Sequence, residues 1–235
     1  MTATSRSQAD DIETNGSSLT LQAFAQLRDS IIFGELAPAQ RLKVEVLRET
    51  LGMGASPIRE ALSLLTSEGL VERLDKRGFR VSDVSIEQYR DLHSSRCFLE
   101  SHVLAQSIQH GDAAWEDRIV LASHRLNRIP RLAPGSKHPN SEWDRFHKAY
   151  HMALLSACPS ATLVQFCSNL HDHLNRYRNM AAAAVAENRD SKEEHNRIAD
   201  ACIERDVELA VKLLIDHYER TTGILEGVLF ARRPG

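Results

Sequence analysis

The chain has no surplus of positive charge. Its 29 Lys and Arg stand against 32 Asp and Glu, a formal charge of -3. That argues against a protein that coats nucleic acid non-specifically, while leaving room for a local basic face. Cysteine is sparse: Cys97, Cys158, Cys167 and Cys202 are scattered and form no CxxC pair. Neither a zinc ribbon nor a dithiol redox motif fits, and reduced thiols in a cytoplasmic protein are expected. Long apolar runs are missing too; the stretch from Met180 to Ala186 is too short to span a bilayer. No apolar segment opens the chain, so neither a secretion signal nor a membrane partner is expected. Gly-rich phosphate loops, nucleophile elbows, HExxH and internal repeats are all absent.

What is present is helical periodicity, with one short interruption. Residues 1–18 are polar and read as a disordered tail. Leu21, Phe24, Leu27, Ile31 and Ile32 then predict an amphipathic helix that ends near Gly34. Val44, Leu47 and Leu51 mark a second helix, capped by Gly52. In the stretch GASPIREAL, Pro57 suits a first helical turn because it has no N–H to donate, and Ser56 is expected as the N-cap. Ile58, Leu62 and Leu65 form its buried stripe, Arg59 and Ser63 face outward, and Gly69 stops the helix. Two short strands follow, Val71 to Leu74 and Phe79 to Val81, around a Lys76-Arg77-Gly78 turn. Helix and basic-tipped hairpin together make a winged helix-turn-helix, whose second helix enters the major groove. Ser85 is an expected N-cap before Glu87 and Gln88. From Ile86 onward no strand alternation appears, and the pattern predicts an all-α bundle of six or seven helices.

The motifs LRDSIIFGELAPAQRL (27–42), SPIREAL (56–62), EGLVE (68–72), RGFRV (77–81), HKAYHMALLSAC (147–158), EEHNRIADACIERD (193–206) and LLIDH (213–217), in this order, resemble the GntR family of bacterial transcription regulators. The resemblance is to its FadR-like branch with an all-helical FCD effector domain, and it covers about Leu19 to Leu229. It implies a winged helix-turn-helix DNA-binding domain over 19–83 and an effector-binding and dimerisation domain over 84–230. It also implies a homodimer on a palindromic operator in double-stranded DNA, a small carboxylate effector that shifts the domain arrangement, and repression of transcription in the bacterial cytoplasm. Elements of the motifs resemble the subgroup that includes regulators of dicarboxylate catabolism.

Arg59 is the first candidate for a base or phosphate contact, since its guanidinium can fork onto guanine. Ser56 is placed to bond a phosphate. Lys76, Arg77 and Arg80 decorate the wing, where Gly78 permits close approach of the backbone; Lys76 and Arg80 read equally well as solvated surface charge. Relatives often carry arginine where this chain has Ala55, and Ser or Thr where it has Gly54, so one expected base contact is missing.

Of the eleven histidines, His147 and His151 stand at i and i+4 and share one helix face. The resemblance implies a metal site built from Asp-x-x-Phe-His and one histidine on each of the last two helices. His151, His195 and His217 match those positions, and His147 stands where the family has aspartate. Imidazoles in this number suit zinc first, with nickel or iron as alternatives. Similar proteins hold an organic acid on arginines facing this cavity, and Arg96, Arg176 and Tyr177 are the candidates. Arg96 also reads as half of an ordinary i,i+4 ion pair with Glu100. A regulator sensing the metal itself is the nearest alternative. A metalloenzyme is a remote one, because Lys148, Ala149 and Tyr150 supply no general base between the paired histidines.

Overall fold

The computed structural model describes residues 4–75, 77–136, 138–188 and 191–230. The fold is mainly α, as the sequence predicts: ten helices and a three-stranded sheet among the described residues. None of those helices is long and apolar enough to cross a membrane. The chain divides into two compact units, Met1–Val84 and Ser85–Gly235.

The first unit holds α1 (Thr4–Ile32), β1 (Arg41–Leu42), α2 (Val44–Leu51), α3 (Ala55–Ser67), β2 (Val71–Leu74) and β3 (Gly78–Val81). The backbone of 4–18, which the composition leaves as a tail, is continuous with α1; Met1 to Ala3 lie outside the described residues. The buried face of α1 runs through Thr20, Ala23, Leu27 and Ile31, while Leu21 is 59% exposed. The predicted stripe is therefore one residue out of phase at its start. Small Ala23 and Thr20 face the core because α1 packs closely on α3. Gly52 ends α2 in the left-handed conformation, at φ 63°, as glycine allows without a Cβ penalty. The sheet order is β1-β3-β2, antiparallel throughout. Val71 pairs with Val81 and Leu74 with Gly78, and β1 adds Leu42 opposite Phe79. The helical stripes and the inward sheet face meet in one core: Leu27, Ile58, Leu62, Leu65, Leu70 and Val81 are each at most 2% exposed.

The second unit is a bundle of α4 (Ile86–His110), α5 (Ala113–Asn127), α6 (Ser141–Leu155), α7 (Ala161–Met180), α8 (Ala182–Asn188), α9 (Lys192–Ile203) and α10 (Val207–Leu229). Side-chain caps fix most helix starts. Ser85 accepts from the Gln88 N–H at 3.1 Å, Asp112 from Trp115, Asn140 from Glu142, Ser160 from Leu163 and Asp206 from Leu209. The sequence runs Ala161 to Glu187 as one helix, but the backbone leaves helical geometry at Ala181 (φ -115°, ψ 22°). The break lets α8 settle on α10 and buries Ala181, Ala182 and Val185. Trp115 centres the core with Ile119, Leu154 and Leu214, all fully buried. Its indole N–H donates to the Ala153 carbonyl at 3.0 Å.

Gly111 joins α4 to α5 against that indole. A Cβ there would meet Trp115 Cε3 at 2.2 Å and the Ser107 carbonyl oxygen at 2.9 Å. Gly111→Ala is expected to destabilise the protein by about 1–3 kcal/mol through overpacking. Chemical denaturation of the variant checks this; an unchanged midpoint counts against the packing described.

Candidate functional site

In the first unit, α3 buries Ile58, Ala61, Leu62 and Leu65 and leaves Ser56, Arg59 and Ser63 exposed. The helix starts two residues earlier than expected: Gly54 is the N-cap and offers no side-chain bond. Ser56 is therefore not the cap but lies inside the first turn, where its hydroxyl donates to Glu60 Oε1 at 3.0 Å. The physical reason is Pro57, which is tolerated anywhere in the first turn, where no intrahelical N–H is needed. Arg77 and Gly78 are exposed at the hairpin tip, Gly78 with φ 89°. Arg80 points across the sheet, and its Nη2 donates to Glu72 Oε2 at 2.6 Å. Lys76 lies outside the described residues.

In the second unit, four histidines converge. His147 and His151 come from α6, His195 from α9 and His217 from α10. One ligand nitrogen from each can be chosen so that all lie within 4.8 Å of one another, and none of the four is more than 5% exposed. The i,i+4 spacing brings the Nε2 atoms of His147 and His151 to 3.1 Å. The His195 and His217 ring centroids are 4.7 Å apart. Outer partners orient these rings. His217 Nδ1 lies 2.9 Å from Glu194 Oε2, His151 Nδ1 lies 3.2 Å from the Tyr218 oxygen, and Trp143 stacks on His147 with centroids 4.5 Å apart. His171, which the sequence leaves as a bland residue, is buried at the cluster's edge, 5.5 Å from the His147 ring.

Burial, then the Arg178 charge and the other imidazoles, push the pKa of His147 well below the ordinary range. Burial and then Arg96 do the same to His151. Convergent, buried imidazoles of this kind could hold a transition metal, and they suit an ion that prefers oxygen ligands less well. Asp144, one turn before His147, is buried and accepts from Arg178 Nη2 at 2.7 Å. It is not one of the four clustered groups.

A cavity of about 40 Å³ adjoins the cluster, room for an ion and a few waters. Its walls include Arg96, Arg131 and Arg178 together with His147, His217 and Tyr218. Arg96 lines this cavity and also forms the i,i+4 ion pair with Glu100. Its Nε donates to Glu100 Oε1 at 2.9 Å and its Nη2 to the Tyr218 oxygen at 2.9 Å. Burial opposes its charge, but Glu100 and Tyr218 together outweigh burial and hold its pKa above the usual value. Arg176 and Tyr177 are buried but do not line the cavity; the Tyr177 hydroxyl donates to Gln88 Oε1 at 3.0 Å. The other cavity arginines are Arg178, which flanks Tyr177 on the side opposite Arg176, and Arg131, in the loop before α6, which sequence reasoning passed over. Helical phase separates Arg178 from Arg176, and no periodicity signals Arg131. Its guanidinium stacks on Trp143 at 4.8 Å.

Residues 19–81 match the gntR family of bacterial regulatory proteins, and residues 91–220 match the FCD domain. The chain belongs to the GntR family. It is thus a DNA-binding transcriptional regulator with an FCD effector domain, and not an enzyme. Among curated relatives, the HTH-type transcriptional regulator BphR of Paraburkholderia xenovorans is 36% identical, over 90% of this chain and 86% of its own length. The HTH-type transcriptional repressor GlaR of Escherichia coli is 29% identical, over 84% of this chain and 91% of its own. Among solved structures, E. coli McbR/YncC aligns with TM-score 0.74 at 22% identity, covering 88% of this chain and 96% of that one. A GntR regulator from Rhodococcus sp. RHA1 aligns with TM-score 0.73 at 21% identity, over 90% and 99%. At these identities the structural matches speak for the GntR/FCD fold alone.

The depressed histidines make stability pH-dependent. Their folded pKa values lie below the unfolded value of about 6.5, so their contribution is complete above that pH and is lost as pH falls below it. Protein kept free of metal ions is expected to lose about 1.4 kcal/mol for each of His147 and His151 per pH unit below 6.5. Urea denaturation at pH 7.5 and 5.5 measures it; equal stability at both would contradict neutral, buried rings.

Proposed function

We propose that this GntR-family regulator is a homodimeric repressor in the FadR-like branch. Its FCD domain holds a transition-metal ion, zinc in the first place and nickel or iron otherwise, and binds a small carboxylate that alters operator affinity. The observation that carries this reading is one juxtaposition. Imidazoles from three helices converge within 4.8 Å, beside a cavity walled by three arginines. His151, His195 and His217 would hold the ion, with His147 facing the same point. When bound, the ion supplies a Lewis-acidic position for a carboxylate oxygen.

This chain's own residues then do the rest. Arg96 and Arg178 are each balanced by a buried acid, Glu100 and Asp144. Adding Arg131 and a dication leaves the cavity positive, which favours an anion over a neutral ligand. The carboxylate group itself fits the space. A larger acid would have to displace the side chains that close it, and such a displacement is the means by which a ligand selects one conformation over another. On the DNA side, exposed Arg59 and Ser56 on α3 and Arg77 with Gly78 on the wing support operator binding in the major groove and along the backbone. Lys76, between Asp75 and Arg77 in the sequence, belongs to the same proposed wing. Arg80 contributes less directly, since Glu72 already holds it. Phe98 on α4 is 82% exposed, unusual for so large an apolar ring, and supports a protein contact on that helix with a second copy.

Fluorescence anisotropy on an operator fragment tests the proposal. Small mono- and dicarboxylates are titrated into metal-loaded protein and into chelator-treated protein. Weakened binding with one acid, only when metal is loaded, is expected. No response to any acid overturns the effector half, and a response to chelator alone favours metal sensing. Arg59→Ala is expected to cost about 1–3 kcal/mol of DNA binding, and Phe98→Asp to shift the sedimentation profile toward monomer.

A further inference from the structure

His147 is wired differently from its neighbours, and the wiring follows from what each partner is able to give. An arginine only donates, an ionised carboxylate only accepts, and a neutral imidazole does one of each. His217 Nδ1 faces Glu194 Oε2 at 2.9 Å. That nitrogen therefore carries the proton, and Nε2 keeps its lone pair. Tyr218 gives its single proton to Glu100, so across the 3.2 Å to His151 Nδ1 its oxygen accepts. His151 likewise has Nδ1–H and a bare Nε2. Both rings are arranged as metal-ligating histidines usually are, with the outer nitrogen donating to an oxygen.

His147 is the reverse. Arg178 Nη1 lies 2.7 Å from its Nδ1, and a lone pair is what an arginine N–H requires there. The guanidinium is also anchored by Asp144 Oδ1 at 2.7 Å and by Asn175 Oδ1, so it is held against the ring. The proton of neutral His147 then sits on Nε2, the nitrogen that faces the centre. The remaining contact agrees: His147 Nε2 and His151 Nε2 are 3.1 Å apart, a donor opposite a lone pair.

We infer that His147 is not a fourth metal ligand but the centre's hydrogen-bond donor, presenting Nε2–H to the oxygen that completes the coordination of an ion held by His151, His195 and His217. This rests on the metal-and-carboxylate reading above. It gives a role to His147, which stands at the aspartate position of the family's Asp-x-x-Phe-His pattern. An aspartate there would accept and carry negative charge; a neutral imidazole backed by Arg178 donates. Recognition of the carboxylate thereby gains a donor, and the ion keeps one more position open for it.

The test begins with metal-free wild-type protein labelled with 15N at histidine. Long-range nitrogen–proton correlation reports which ring nitrogen is protonated, and the signal lost in His147→Leu, or in His147→Gln should that variant fail to fold, assigns the ring. A protonated Nε2 and bare Nδ1 at His147 are expected, with the opposite at His217; Nδ1–H at His147 overturns the inference. Cobalt(II) then serves as the coloured probe. His147→Leu should bind one equivalent with the visible bands of wild type, whereas His217→Leu should not. Bands displaced in His147→Leu as far as in His217→Leu make it a ligand and overturn the inference. Acetate should bind the cobalt form of His147→Leu about tenfold more weakly, the loss of one hydrogen bond to a charged acceptor; unchanged acetate affinity refutes the donor role. Wild type that takes up no cobalt would instead sink the metal reading, while the nitrogen spectrum still decides where His147 holds its proton.

Discussion

Glu100 is a carboxylate in the middle of a helical bundle, with none of its surface exposed, and the effector unit is arranged around it. A lone charge at that depth would be too costly to keep. Arg96, one turn earlier on α4, neutralises it, and Tyr218 on α10 donates to its second oxygen. The same tyrosine oxygen meets His151 of α6, and the same arginine meets His171 of α7. Four helices are thereby tied to one buried acid. The pair alone is weak grounds for stability, since apolar residues of similar volume could do as well. Its value is geometric: it fixes how far α10 lies from α4 and which way the His151 ring is turned.

A second buried pair repeats the plan on the other side of the cluster. Asp144 holds Arg178, Arg178 meets His147, and Trp143 lies flat on that ring. The two networks differ in sign at the point of contact. Glu100, acting through the Tyr218 oxygen, leaves His151 facing an acceptor; Asp144, acting through a guanidinium, leaves His147 facing a donor. Two histidines one helical turn apart, both neutral and both buried, are thus given opposite tautomers by acids that neither of them touches.

Much of this was legible in the chain itself. The stripes of Ile58, Leu62 and Leu65 and the strands around Gly78 carry local periodicities of helix and strand, which survive folding because they create the core. The four histidines were found because two share a helix face and the others fall at motif positions. What could not be read depends on long-range partners. Arg178 differs from Arg176 by two residues, about 200° around a helix, so only one of them can face the cavity. Arg131 sits in an irregular loop with no period. The start of α3 was misplaced because serine before proline is a common cap signal, whereas here Gly54 opens the helix and Ser56 turns to Glu60. The break at Ala181 falls in a run of alanines, the best helix formers, where local preference gives no hint that α8 will turn onto α10.

The chain has two tryptophans, each with an arginine guanidinium over its ring, and Trp143 is the one stacked on a histidine of the cluster. Trp115 is sealed in the bundle core with its N–H on backbone carbonyls. Trp143 lies between the Arg131 guanidinium and the His147 imidazole, with Arg178 beside it. Any change of charge in the chamber therefore perturbs the excited state of one indole and leaves the other as an internal standard. The fold has placed an optical gauge beside its histidine cluster.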